Sequence, residues 1–316
     1  MEKHSKDLTK SLLVFKLIIY FFSLIVMFFD FTLFLIIMVL LNMPVIRKSM
    51  FGRLALDPRK KTWEHVENIK YGNKKHLDIF FPDLEKLSLQ SPKGVVLFAH
   101  GGGWISGYRH QPNNVSWYRY LVSRGFIVAT IDYSRGYRAG IEKLIDELME
   151  AVECLSKRLE TLGIDLGISL MGLSAGAHLA LLSASRIPNK IKCVVSYYAP
   201  CDLMDIWKSP SLFARFSVLA TLKRLPGRSK EIYEEYSPVN NVSYDFPTTL
   251  LVHGLKDQMV PYISSVKMFK KLSENQVKAK LLLHPRGNHG FEFVLKDKYT
   301  INILEKTVDF LEGKTW

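Results

Sequence analysis

Ser174 stands in the run MGLSAGAH, residues 171–178, with Gly172 two positions before it and Gly176 two positions after. A serine hydroxyl is a weak nucleophile near neutral pH. It becomes a strong one when a histidine takes its proton and a carboxylate fixes that histidine's tautomer. Small flanking residues are what a sharp strand-to-helix turn requires, because such a turn lifts the hydroxyl clear and presses residues two before and two after it together. At ordinary Gly and Ser frequencies, GxSxG arises by chance in roughly one chain of this length in ten. Its placement decides the matter, since ISLMG before it reads as a strand and AGAHLALLSA after it as a helix.

The partners of the serine are sought in the chain order Ser, Asp, His. Asp257 lies in HGLKDQMVP, residues 253–261, directly after the apolar run TTLLV, and His289 lies in HPRGNHGF, residues 284–291, after the next strand-like run. Both leave the carboxyl ends of strands, where ligands of open α/β sheets bind. Upstream, His100 to Trp104 reads HGGGW after the apolar run VVLFA. Three successive glycines let backbone amides approach a ligand with no Cβ in the way. The amides of Gly102 and Gly103, with that of Ala175 at a helix start, form a candidate oxyanion hole.

Other polar residues fit structural roles better. His284 precedes a proline and His178 sits inside the helix after the turn, so both read as packed histidines. His100 and His253 read as braces for their loops, and Asp132-Tyr133 as a hydrogen-bonding pair at a strand end. Asp202 and Asp205 are rival acids, though they fall in a different region. Neither a HExxH nor a clustered His/Asp pattern appears, so no metal and no cofactor is expected.

These residues need a scaffold, and the chain beyond Lys61 supplies an alternation of strand-like and helix-like stretches. Strands are expected at 64–71 and 75–81, as a hairpin around Gly72-Asn73, and at 95–99, 126–132, 168–172, 191–198, 248–253 and 278–284. Helices are expected at 114–123, 140–161, 175–186, 262–274 and 298–311. This order predicts a mostly parallel sheet with helices on both faces. Residues 201–246 break the rhythm with no clear strand and hold Trp207, Phe213, Phe216 and a basic stretch through Arg228, which predicts an inserted helical cap.

The 316 residues carry a formal net charge of +13. Residues 1–61 hold ten Lys/Arg against four Asp/Glu, and the remaining +7 is spread over 255 residues without a basic block or binding module. That distribution argues against a nucleic-acid partner. Cys154, Cys193 and Cys201 show neither paired spacing nor CxxC, so neither a disulfide framework nor a zinc site is expected.

Residues 17–43 form a run of 27 residues with one charge, Asp30, and 19 Leu, Ile, Val or Phe. Each of these favours insertion by roughly 0.3 to 0.6 kcal/mol, against a cost of roughly 3 kcal/mol for a central Asp, so the run predicts a transmembrane helix. It exceeds a signal-peptide core and lacks a small-residue cleavage site, so it reads as an anchor. Asp30 splits it into halves of 13 residues, which leaves a re-entrant hairpin as the alternative to one single-pass span. The expected organisation is a basic tail at 1–16, the anchor at 17–43, a basic juxtamembrane linker at 44–61 and a catalytic domain at 62–316. Six cationic residues follow the run and four precede it, which leans the domain toward the cytoplasm; the sequons at Asn114 and Asn241 matter only for a luminal domain.

HGGGW with Gly107 behind it, GLSAG, HGLKDQMVP and GNHGF together resemble the α/β-hydrolase superfamily, in its branch with an HGGG oxyanion loop that contains the hormone-sensitive-lipase-like carboxylesterases. Leu173 stands where that branch usually has aspartate and Ser134 where it has arginine, so GLSAGAH with HGGGW is more similar to feruloyl-esterase-like and prenylcysteine-methylesterase-like members. The resemblance covers residues 62–316 and implies an α/β-hydrolase fold, with Ser174 as nucleophile, His289 as base, Asp257 as acid, and Gly102, Gly103 and Ala175 as oxyanion amides. The expected activity is hydrolysis of a small-molecule carboxylic ester, apolar or amphiphilic, through an acyl-enzyme. An amidase or aryl-formamidase using the same groups, and a catalytically silent binding protein tethered to the membrane, are the alternatives. Oligomeric state is left open.

Overall fold

The computed structural model describes residues 51–72 and 75–314, with Phe21 alone before them. The chain divides into two units, Met1–Phe51 and Gly52–Trp316, and everything below concerns the second. The expected anchor at 17–43 lies outside the described residues apart from Phe21. Among the described residues no helix is long and apolar enough to cross a membrane.

Eight strands form one sheet in the order β1-β2-β4-β3-β5-β6-β7-β8. They are β1 (Trp63–Tyr71), β2 (Lys75–Pro82), β3 (Gly94–Ala99), β4 (Phe126–Ile131), β5 (Ile168–Leu173), β6 (Ile191–Tyr197), β7 (Thr248–Gly254) and β8 (Ala279–His284). The hairpin β1-β2 pairs antiparallel, and β2 pairs antiparallel with β4. Every other neighbour is parallel. Among the described residues, eight helices accompany the strands: α1 (Pro112–Ser123), α2 (Gly136–Thr161), α3 (Ala175–Arg186), α4 (Leu212–Leu222), α5 (Lys230–Glu235), α6 (Ile263–Glu274), α7 (Phe291–Val294) and α8 (Lys298–Leu311).

The central strands are predominantly apolar because both of their faces are buried. Along β3, Val95, Leu97 and Ala99 join one core with Leu148 of α2, Leu181 of α3 and Met268 of α6. Val96 and Phe98 join the opposite core with Trp117 and Leu121 of α1 and Ile303 and Leu304 of α8. The architecture is therefore an α/β-hydrolase fold with a mostly parallel sheet. The interval 201–246 contains no strand; it holds a 3-10 turn at Leu203–Lys208, then α4, α5 and a second 3-10 turn at Pro238–Asn240. Helix α2 begins four residues before the sequence expectation, with a break at Gly140, whose φ of 79° and ψ of 167° interrupt the helical path.

The junction of β5 and α3 shows why the small residues are there. A Cβ on Gly172 would lie 2.4 Å from the backbone of Gly176 and Ala177, and one on Gly176 would lie 2.2 Å from the carbonyl oxygen of Ala99 at the end of β3. Ser174 between them has φ 52° and ψ −118°, a conformation that costs a non-glycine residue about 1–3 kcal/mol and is imposed by its surroundings. Its amide donates to the carbonyl of Tyr197 at 2.9 Å, tying the turn to β6.

Because the atoms facing Gly172 are backbone, they cannot yield by rotating a side chain. Gly172→Ala is expected to destabilise the folded chain by about 2 kcal/mol or more in urea unfolding. An unchanged unfolding midpoint would show that the turn has room to relax.

Candidate active site

Three loops at the carboxyl end of the sheet carry the polar groups that meet around Ser174. His289 Nε2 lies 3.0 Å from Ser174 Oγ, and His289 Nδ1 lies 2.8 Å from Asp257 Oδ2. The structure thus brings Ser174, His289 and Asp257 into one line of contacts. The side chain of Asp257 is fully buried and that of His289 is 10% exposed. With Asp257 accepting from Nδ1–H, the lone pair of Nε2 faces the serine hydroxyl, the tautomer a general base requires.

Asp257 is held by more than His289. Its Oδ1 accepts from the amides of Met259 and Val260 at 2.8 and 2.9 Å, and His253 Nε2 lies 3.3 Å from Oδ2. Burial alone would raise this carboxyl, but His289 and His253 hold it well below the usual carboxylate range. The acid and base loops are also pinned to one another. Lys256 donates its amide to the carbonyl of Gly287 at 2.8 Å, and Asn288 Oδ1 accepts from the amides of Gln258 at 3.0 Å and His289 at 2.7 Å.

The HGGGW loop runs beside the serine. A Cβ on Gly101 would lie 3.6 Å from that of Ser174, so the loop backbone is within contact distance of the nucleophile candidate. Gly102 has φ 125°, and a Cβ there would sit 2.2 Å from the carbonyl oxygen of Ser106, which leaves glycine as the residue that fits. Arg135 anchors the far side of the loop by donating to the carbonyls of Ser106 at 2.9 Å and Gly107 at 2.5 Å. The amides of Gly102 and Gly103 thus lie on this loop, and that of Ala175 is the first of α3, next to Ser174.

His100, His178, His253, His284 and Asp132 take structural places, as their sequence positions predict. His100 is buried, its ring stacked 4.2 Å from that of Tyr133, whose hydroxyl donates to the His100 carbonyl at 2.7 Å. Burial pushes His100 and His178 down to about 4, so both are neutral around pH 7. His178 Nε2 donates to the carbonyl of Tyr236 at 2.8 Å and so ties α3 to the end of α5. His253 Nδ1 lies 2.7 Å from Ser265 Oγ, and His284 Nε2 lies 3.0 Å from Asp297. Asp132 receives the amide of Arg109 at 2.8 Å as well as its guanidinium. The rival acids Asp202 and Asp205 both bind Lys267 and are not brought to His289. Among the described residues, no cluster of three or more His, Cys, Asp or Glu could hold a metal ion.

Two residues that the spacing did not single out form a line leading to His289. The ring of Tyr198, which follows β6, is 4.5 Å from the imidazole, and its hydroxyl donates to buried Glu292. The only sequence signal was a lone acid inside the apolar run GFEF.

The comparisons agree with this architecture. The BD-FAE family model matches residues 77–272. A probable isoprenylcysteine alpha-carbonyl methylesterase of Oryza sativa subsp. japonica is 26% identical over 250 residues, covering 72% of this chain and 59% of the relative. Esterase LipC of Mycobacterium tuberculosis is 25% identical over 256 residues, covering 75% of this chain and 62% of LipC. The chain therefore spans about three-fifths of the length of these relatives. Among solved structures, a truncated carbohydrate esterase from gut microbiota superposes with a TM-score of 0.70 at 20% identity, covering 82% of this chain and 100% of that one. Brefeldin A esterase, a bacterial homologue of human hormone-sensitive lipase, gives 0.65 at 19% identity, covering 84% and 81%. With a serine at a strand-to-helix turn, a glycine loop beside it and a family model matching most of the sheet and its helices, the chain belongs to the BD-FAE family.

Proposed function

We propose that this protein hydrolyses a carboxylic ester through a covalent acyl-enzyme. The observation that carries the reading is the line of contacts from Asp257 through His289 to Ser174. In this reaction Ser174 Oγ attacks the ester carbonyl carbon while His289 Nε2 takes its proton, and Asp257 stabilises the resulting imidazolium. The tetrahedral oxyanion accepts hydrogen bonds from the amides of Gly102, Gly103 and Ala175. Collapse breaks the bond to the alcohol oxygen, which leaves with the proton from His289. A water then attacks the acyl group, giving its proton to His289, and the acid is released as Ser174 recovers its hydroxyl.

The names of the relatives, esterase and methylesterase, support an ester as the substrate class. The apolar run at 17–43 supports a single-pass anchor, and the basic residues that follow it support a cytoplasmic domain. Leu212 at the start of α4 and Leu225 just beyond its end are exposed, which supports an apolar or amphiphilic ester drawn from the membrane surface. Full activity on short acyl esters with none on long-chain esters would remove that last element.

A fluorophosphonate probe is expected to label the detergent-purified full chain, and Ser174→Ala to abolish labelling. A wild type that stays unlabelled and inert toward a panel of acyl esters would favour a binding protein, and turnover of amides alone would make the enzyme an amidase. Asp257→Asn removes the acceptor that fixes the His289 tautomer and is expected to lower kcat by about 10³ to 10⁴. Steady-state kinetics on the ester that the wild type turns over best checks this, and a loss below about tenfold would contradict the role given to Asp257.

A further inference from the structure

Glu292 lies three residues beyond His289 in the single turn of α7, and its side chain is completely shielded from solvent. Carboxylates in such places normally have a cationic partner or several donors. Glu292 has neither. Its Oε1 accepts from the Tyr198 hydroxyl at 2.5 Å, while Oε2 is buried with no hydrogen-bond partner among the described residues.

Tyr198 is fixed with equal care. It occupies φ 42°, its amide donates to the carbonyl of Val252 in β7 at 2.7 Å, and its ring lies 4.5 Å from the His289 imidazole at 53°. A non-glycine residue held in the left-handed region beside a site is a feature its surroundings impose. The result is one connected line of contacts, from the buried carboxyl through the phenol to the imidazole ring.

We propose that Tyr198 and Glu292 are a buried positioning pair for His289, in which the phenol supports the ring and the charge state of the carboxyl sets how strongly the imidazole holds a proton. This rests on the role given to His289 above. The titratable groups acting on Glu292 are Tyr198, Tyr197, His289, Asp257 and Lys296. Burial pushes its carboxyl up to about 7, and the Asp257 carboxylate adds to this, against the Tyr198 hydroxyl, the residue's own amide and His289, which favour the charged form. The phenol of Tyr198 is raised well above its ordinary value by burial, so it stays a donor. Glu292 therefore changes from neutral to anionic as pH rises through neutrality. The added negative charge stabilises the imidazolium that forms when Ser174 gives up its proton. No proton needs to pass between Glu292 and His289.

The test is kcat/KM from pH 5.5 to 8.5 for the full-chain wild type, Glu292→Gln and Tyr198→Phe, on one short acyl ester. Glu292→Gln keeps the shape and loses the charge, so it is expected to match the wild type at pH 5.5 and fall about threefold or more below it at pH 8.5. Tyr198→Phe removes a hydrogen bond to the charged form, so the step is expected to move to higher pH. The ¹³Cε1 resonance of His289, assigned with His289→Gln, reads the same coupling without a substrate. It is expected to titrate in two steps in the wild type and one in Glu292→Gln.

Wild-type and Glu292→Gln profiles that run parallel at every pH, with identical one-step titrations of His289, would overturn the proposal and leave Glu292 a packing residue. A wild type with no turnover at all would instead contradict the ester-hydrolase reading, and the resonance would still decide the coupling. Should Glu292→Gln fail to fold, Tyr198→Phe carries the same decision, because an unmoved step there is incompatible with the pair.

Discussion

The whole site depends on one close approach. Gly172 and Gly176 meet with no room for a methyl group between them, and Gly176 also rests on the end of β3. That contact forces Ser174 into a backbone conformation it would not choose, at a cost of about 1–3 kcal/mol. The two apolar cores on either side of the sheet hold β5 and α3 in place and so maintain the strain. With the turn fixed, the serine hydroxyl stands at the sheet edge and the first amide of α3 lies beside it.

The groups around the serine are rigid for related reasons. Acid and base loops share hydrogen bonds through Asn288, Gly287 and Lys256, which hold Asp257 and His289 in register with each other. Buried histidines that stay neutral, His100 and His178, brace the glycine loop and tie α3 to Tyr236 without bringing charge near the reacting atoms. Asp257 is kept ionised in the interior because two imidazoles and two amides surround it. Glu292 receives one side-chain donor, the Tyr198 hydroxyl, and burial raises its carboxyl to about 7. Two buried acids near the same imidazole, one at its Nδ1 and one behind Tyr198, are thus driven apart by their different hydrogen-bond partners.

Much of this was legible in the sequence because the sheet is buried on both faces. Short apolar runs such as VVLFA and TTLLVHG have no other reading when they alternate with helix-like stretches, and α3 and α8 begin and end where their residues predict. Ser174, Asp257 and His289 were legible because each follows a strand end. Helix α2 was read four residues short because its first turn precedes the break at Gly140, where periodicity is lost. The interval 201–246 was legible as a missing strand and as helical, but the bounds of its helices were not, since short segments packed on one side carry little periodic signal. Tyr198 and Glu292 meet across 94 positions of sequence, a contact that no local spacing encodes.

The central claim is that Ser174 is a nucleophile with an oxyanion site formed by the amides of Gly102, Gly103 and Ala175. It is tested most directly by a crystal structure of the full chain after reaction with an alkyl phosphonate. The account expects a phosphorus–oxygen bond to Ser174 Oγ, with the phosphonyl oxygen within hydrogen-bond distance of those amides and His289 still on Asp257. An adduct on another residue, or one on Ser174 whose phosphonyl oxygen points away from the glycine loop, would contradict it.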